Sequence, residues 1–91
     1  MGLKNTTSCL GYQQITSLSS AASLTIPSGA VLAKIVCTGQ AVSWRDDGIA
    51  PTGTIGMPLP VNTVLEYDGD LRRIKFIEKA ASAVLNISYY A

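Results

Sequence analysis

The chain has 91 residues, enough for one domain and too few for two. Hydrophobic residues make up 47% of it and charged residues 14%, against about 25% charged in an average soluble domain, and the net charge is +1. That balance argues against a nucleic-acid binder, which would carry a basic stripe. No apolar run approaches the ~20 residues of a membrane span, and no apolar h-region follows Lys4 and Asn5 as a secretory signal requires.

Residues 1–11 are small and polar without periodicity, and read as an extended arm ahead of a single domain over 12–91. Residues 14–18 are a candidate first strand. Residues 23–26 alternate polar and apolar and end at the turn signal Pro27-Ser28-Gly29. Residues 30–38 form the most strand-like stretch, with Val31, Ala33, Ile35 and Cys37 on one face and Leu32, Lys34, Val36 and Thr38 on the other. After Gly39 the same pattern resumes over 40–45, and Asp46-Asp47-Gly48 closes it, with Gly48 supplying a positive φ.

Residues 48–62 hold Pro51, Pro58 and Pro60 and read as a long loop, with one short strand near 54–57. A strand over 63–67 turns at Asp68-Gly69-Asp70. The next, 71–77, puts Ile74 and Phe76 on one face and Arg73, Lys75 and Ile77 on the other. The last, 83–90, alternates Leu85, Ile87 and Tyr89 against Val84, Asn86, Ser88 and Tyr90; of the two adjacent tyrosines, one faces the core and the other is free to pack on a neighbour. A helical reading of 77–85 is short and lacks a capping box. Seven to eight short strands at this spacing predict an all-β fold, a small antiparallel β-sandwich. Its expected core includes Ile35, Ile74, Phe76, Leu85 and Ile87.

Chemistry has few candidates. The chain has no histidine, which removes the commonest general base and metal ligand. No Gly-x-Ser-x-Gly elbow occurs, and the acid pairs Asp46/Asp47 and Asp68/Asp70 sit at turns, where Asp serves local hydrogen bonding. Asp68-Gly69-Asp70 is too small an oxygen set for calcium. Cys9 and Cys37 are too few for a disulfide framework, so a single bridge and two free thiols both stay open, with free thiols favoured. No enzymatic activity, cofactor or metal is expected. Trp44 is either a core or rim anchor or a stacking platform for a sugar or base. Arg45 is placed to pair with Asp46 or Asp47 and hold the turn, or to reach a neighbour's carboxylate.

A small domain buries only about 60–70% of its unfolded surface, so added burial against a partner would stabilise it. With few charges, this favours an oligomer or a docked subunit working through the arm and the stretch 48–62. The candidate interface residues are Trp44, Arg45, Asp46, Asp47, Pro51, Met57 and Tyr90.

The stretch 39–59, with Val42-x-Trp44-Arg45-Asp46-Asp47-Gly48, then Pro51-Thr52 and Gly56-Met57, resembles a segment of small proteins encoded by tailed bacteriophages and prophages. The resemblance runs from about Tyr12 through Leu65-Glu66-Tyr67 and Ile74-Lys75-Phe76-Ile77 to Leu85-Asn86-Ile87-Ser88-Tyr89-Tyr90. It implies a jelly-roll-like sandwich and a virion structural role, as a capsid decoration or cementing subunit or as a neck, tail or fibre accessory. Implied partners are the major capsid protein or other virion subunits, and further copies of the chain in a trimer or hexamer, assembled in the bacterial host cytoplasm. Neither nucleic acid nor membrane is an expected partner. The rival reading is a module that binds a host-surface glycan.

Overall fold

The computed structural model describes residues 8–91. They form eight strands and no helix: β1 (Cys9–Ile15), β2 (Ala22–Ser23), β3 (Leu32–Thr38), β4 (Val42–Arg45), β5 (Met57–Leu59), β6 (Leu65–Tyr67), β7 (Lys75–Glu78) and β8 (Val84–Tyr90). Two antiparallel four-stranded sheets result, in the orders β1-β8-β3-β6 and β2-β7-β4-β5. First pairs with last, second with seventh, third with sixth and fourth with fifth, as in a long hairpin rolled into two sheets. This is the jelly-roll arrangement. No helix of the described residues is long and apolar enough to cross a membrane.

Alternation along the strands builds the core. In β3, Ala33, Ile35 and Cys37 are fully buried; in β8, Leu85, Ile87 and Tyr89 are buried beside them, paired in the order Ala33–Tyr89, Ile35–Ile87 and Cys37–Leu85. The second sheet answers with Val42, Leu59 and Phe76, and Ile74 enters just ahead of β7. Leu18, Leu24, Leu71 and Ala83 close the ends from the connections. All five core residues expected above are fully buried.

Three expectations are corrected. The first strand is β1, not 14–18: residues 9–11 of the expected arm pair with the end of β8, and residues 1–7 lie outside the described residues. Pairing with β8 overrides the weak strand propensity of a polar, Gly-containing segment. Leu18 is buried from a connection instead, its carbonyl accepting from the Glu78 N–H at 2.9 Å. Val31 precedes β3 and is 62% exposed, so it does not share the inner face of Ala33 and Ile35. The short strand in the Pro-rich stretch lies at Met57–Leu59, where it pairs with β4.

Two polar links border the core, the first at the edge of one sheet and the second between the sheets. The Tyr89 hydroxyl donates to Gln13 Oε1 at 2.6 Å, and the same oxygen accepts the Thr25 N–H at 3.1 Å. Burial pushes the Tyr89 phenol up to about 12. Across the core, the Cys37 thiol donates to the carbonyls of Leu59 (3.3 Å) and Pro60 (3.4 Å). Burial raises this thiol, which makes it a packing group and not a nucleophile. Cys9 is exposed, and both cysteines are free.

Candidate functional site

The connection from β4 to β5, residues 46–56, carries most of the candidate residues. It leaves the end of β4 through the tight Arg45–Gly48 turn. Arg45 forks onto Asp47, Nε to Oδ1 at 3.1 Å and Nη2 to Oδ2 at 2.5 Å. The guanidinium holds the Asp47 carboxyl below the usual carboxylate range, and the Ile49 N–H adds to this by donating to Oδ1 at 3.3 Å. Arg73 donates from Nη2 to the Asp47 carbonyl at 2.6 Å. Gly48 sits at φ 86° with that guanidinium alongside; a Cβ there would lie 2.8 Å from Arg73 Nη2.

Asp46 does something different. Its Oδ2 accepts from the Tyr67 hydroxyl at 2.7 Å, fastening the turn to β6 of the opposite sheet. Burial first, and Asp46 second, push the Tyr67 phenol up to about 12. Trp44 stands edge-on to Tyr67, with ring centroids 6.1 Å apart and planes at 65°. The indole is half-buried against the core.

Beyond the turn the chain folds back over the outer side of β4. Pro51 is buried there, so it is part of the loop's own packing and not surface. Thr52 and Ile55 exchange backbone hydrogen bonds, at 2.9 and 3.3 Å, and Thr52 Oγ1 accepts the N–H groups of Thr54 and Ile55. The fully buried Ser43 meets the loop: the Lys79 ammonium donates to Ser43 Oγ at 3.3 Å and to the Gly53 carbonyl at 3.0 Å. Gly56, at φ 145°, brings the chain back to β5, and a Cβ there would lie 3.0 Å from the Trp44 carbonyl oxygen.

This construction fixes a loop that shows three apolar side chains to solvent among the exposed polar ones of Asp46, Asp47, Thr52 and Thr54. Ile49, Ile55 and Met57 are 57%, 57% and 56% exposed. A shallow cavity of about 260 Å³ is lined by Ile55, Gly56 and Met57 on one side and Arg45, Asp46 and Asp47 on the other. The structure thus brings Trp44, Arg45, Asp46, Asp47, Pro51 and Met57 together. Tyr90 is elsewhere, on the outer face of the β1-β8-β3-β6 sheet, with the Lys34 ammonium 5.3 Å from its ring centroid.

Sequence reasoning did not find Tyr67, Arg73 and Lys79, which hold this loop from other elements. No local signal marks them, since their partners are 21 to 36 residues away. A second, more polar groove of about 430 Å³ lies between residues 26–31 and 68–72. One of its acids, Asp70, accepts the Arg72 N–H at 3.0 Å as a turn cap. Among the described residues no three His, Cys, Asp or Glu side chains gather as a metal site would need.

No family model matches the chain, and neither a curated protein nor a solved structure does.

Proposed function

We propose that the protein is a structural subunit of a bacteriophage particle, a capsid decoration or cementing subunit that docks through the loop of residues 46–57. The fold alone does not select this role, because jelly rolls serve viral capsids and sugar-binding proteins alike. The observation that carries it is the construction of the loop. Its charged groups are engaged in holding it, and it displays Ile49, Ile55 and Met57 to solvent. A preformed loop that holds three exposed apolar side chains beside a fixed ion pair loses little conformational entropy when a partner covers it. The resemblance of the Val42–Met57 stretch to phage-encoded proteins implies the proposed partner, the major capsid protein or another virion subunit, and the virion as the proposed place of action.

Copy number in purified particles tests this reading. A decoration subunit is present at hundreds of copies, in fixed ratio to the major capsid protein; six or twelve copies would make it a neck or tail accessory instead. Absence from purified particles would end the virion reading altogether.

A further inference from the structure

A jelly roll has four sheet edges, and three of them here are defended against pairing with another chain. β2 is two residues long, β5 is three residues long and contains Pro58, and β6 is three residues long and carries Glu66. The fourth edge is β1. It runs for seven residues, Cys-Leu-Gly-Tyr-Gln-Gln-Ile, with neither a charge nor a proline. Its one irregularity, a bulge between Cys9 and Gly11, leaves residues 11–15 in regular register.

The phase of the ladder tells which backbone groups this edge presents. Ser8 and Ala91 exchange both of their hydrogen bonds, while the Tyr90 carbonyl accepts from the Val31 N–H on the other side of β8. By alternation, residues 85, 87, 89 and 91 turn their backbone groups toward β1, and 86, 88 and 90 toward β3. Tyr12 and Gln14 lie opposite Ser88 and Asn86. Their own N–H and C=O groups therefore point away from β8, out of the sheet edge. Among the described residues no backbone bond outside the ladder takes up these four groups. Their side chains do not shield them either: the Tyr12 hydroxyl (2.6 Å) and Gln14 Nε2 (3.1 Å) both donate to Asn86 Oδ1, so both side chains lean back over β8.

We propose that β1 is a self-association edge, on which β1 of a second copy of this chain pairs antiparallel about a two-fold axis through Gln13. In that register Tyr12 of each copy faces Gln14 of the other. The four outward groups of one strand meet the four of its mate in four N–H···O bonds, and the two sheets become one of eight strands. A strand without charges meets its own copy with no like-charge repulsion, and an isologous contact uses the same groups on both sides and closes. β1 and the 46–57 loop lie on opposite flanks of the sandwich: Gln13 of β1 meets Thr25 just after β2, whereas Asp46 of the loop meets Tyr67 in β6, the other edge of β1's own sheet. The inference is independent of the virion reading, and the dimer leaves the loop open.

The test is sedimentation velocity over a dilution series, on the intact chain and on Gln14→Pro. Proline removes one outward N–H per copy without touching the ladder to β8. The expected result is a reversible dimer that Gln14→Pro weakens at least about tenfold, two hydrogen bonds being lost per dimer. Disulfide trapping in a Cys9→Ser background keeps the register testable if the proline variant misfolds. Tyr12→Cys mixed with Gln14→Cys should cross-link on oxidation, since hydrogen-bonded cross-strand pairs have the spacing of a disulfide, and either variant alone should not. A chain that stays monomeric at every concentration overturns the proposal. So does a dimer that a folded Gln14→Pro leaves unchanged, or trapping that is as efficient in either variant alone.

Discussion

Lys79 and Ser43 are 36 residues apart, yet the Lys79 ammonium donates to the fully buried Ser43 hydroxyl and, 3.0 Å away, to the Gly53 carbonyl. One side chain thus ties the 46–56 loop to the sheet beneath it. Lys79→Met keeps the aliphatic stem and removes both donors. Stability should fall by about 1–2 kcal/mol, and hydrogen exchange should quicken at residues 49–56 while the amides of β3 and β8 stay protected. Unchanged exchange in the loop would mean that Pro51 and the Thr52–Ile55 turn hold it without Lys79.

Gly56 is set by geometry more than by chemistry. At φ 145°, with a Cβ position 3.0 Å from the Trp44 carbonyl oxygen and 3.2 Å from the Cβ atoms of Pro51 and Ser43, alanine has neither the conformation nor the space. Gly56→Ala should cost about 1–3 kcal/mol, read as a lowered denaturation midpoint with an unchanged slope.

Phe76 is fully buried and pairs with Trp44 and Ala22 on its two sides. Phe76→Ala should cost about 3–5 kcal/mol, a large part of the stability of so small a domain. A variant that melts at the wild-type midpoint would contradict the packing of this sheet.

Alkaline pH should unfold the protein through two of its four tyrosines. Tyr67 and Tyr89 are held up to about 12, whereas an unfolded tyrosine ionises near 10. The folded state therefore binds these protons more tightly. Their contribution is complete below about 10 and is lost as pH climbs toward about 12. The melting midpoint should fall steeply across that window, and Tyr89→Phe should flatten the fall. A midpoint constant through the window would contradict the burial of both phenols.

The fold was legible wherever one face of a strand is buried. In β3 and β8 the strict alternation around Ile35 and Ile87 announces both the strand and its inner face. β1 was not legible, because its inward residues are Gly11, Gln13 and Ile15, and Gln13 is there to accept from Tyr89 and not to be apolar. In the candidate site the Arg45–Asp47 pair, two residues apart, could be read from the turn, and so could the need for Gly48. Asp46–Tyr67 and Ser43–Lys79 could not, since such pairs exist only after the sheets have packed.

The proposed docking onto a phage particle rests on the apolar side chains of the 46–57 loop. The most direct measurement is incorporation: particles lacking the native copy are mixed with wild-type protein or with Ile55→Asp/Met57→Asp, repurified, and the bound subunit is quantified against the major capsid protein. Both substituted positions are more than half exposed, so the variant should fold with an unchanged melting midpoint. Saturable binding is expected of the wild type, and loss of at least nine-tenths of it, on the order of 1.4 kcal/mol or more, for the variant. Equal incorporation of a folded variant, or no binding of the wild type, would contradict the proposed docking.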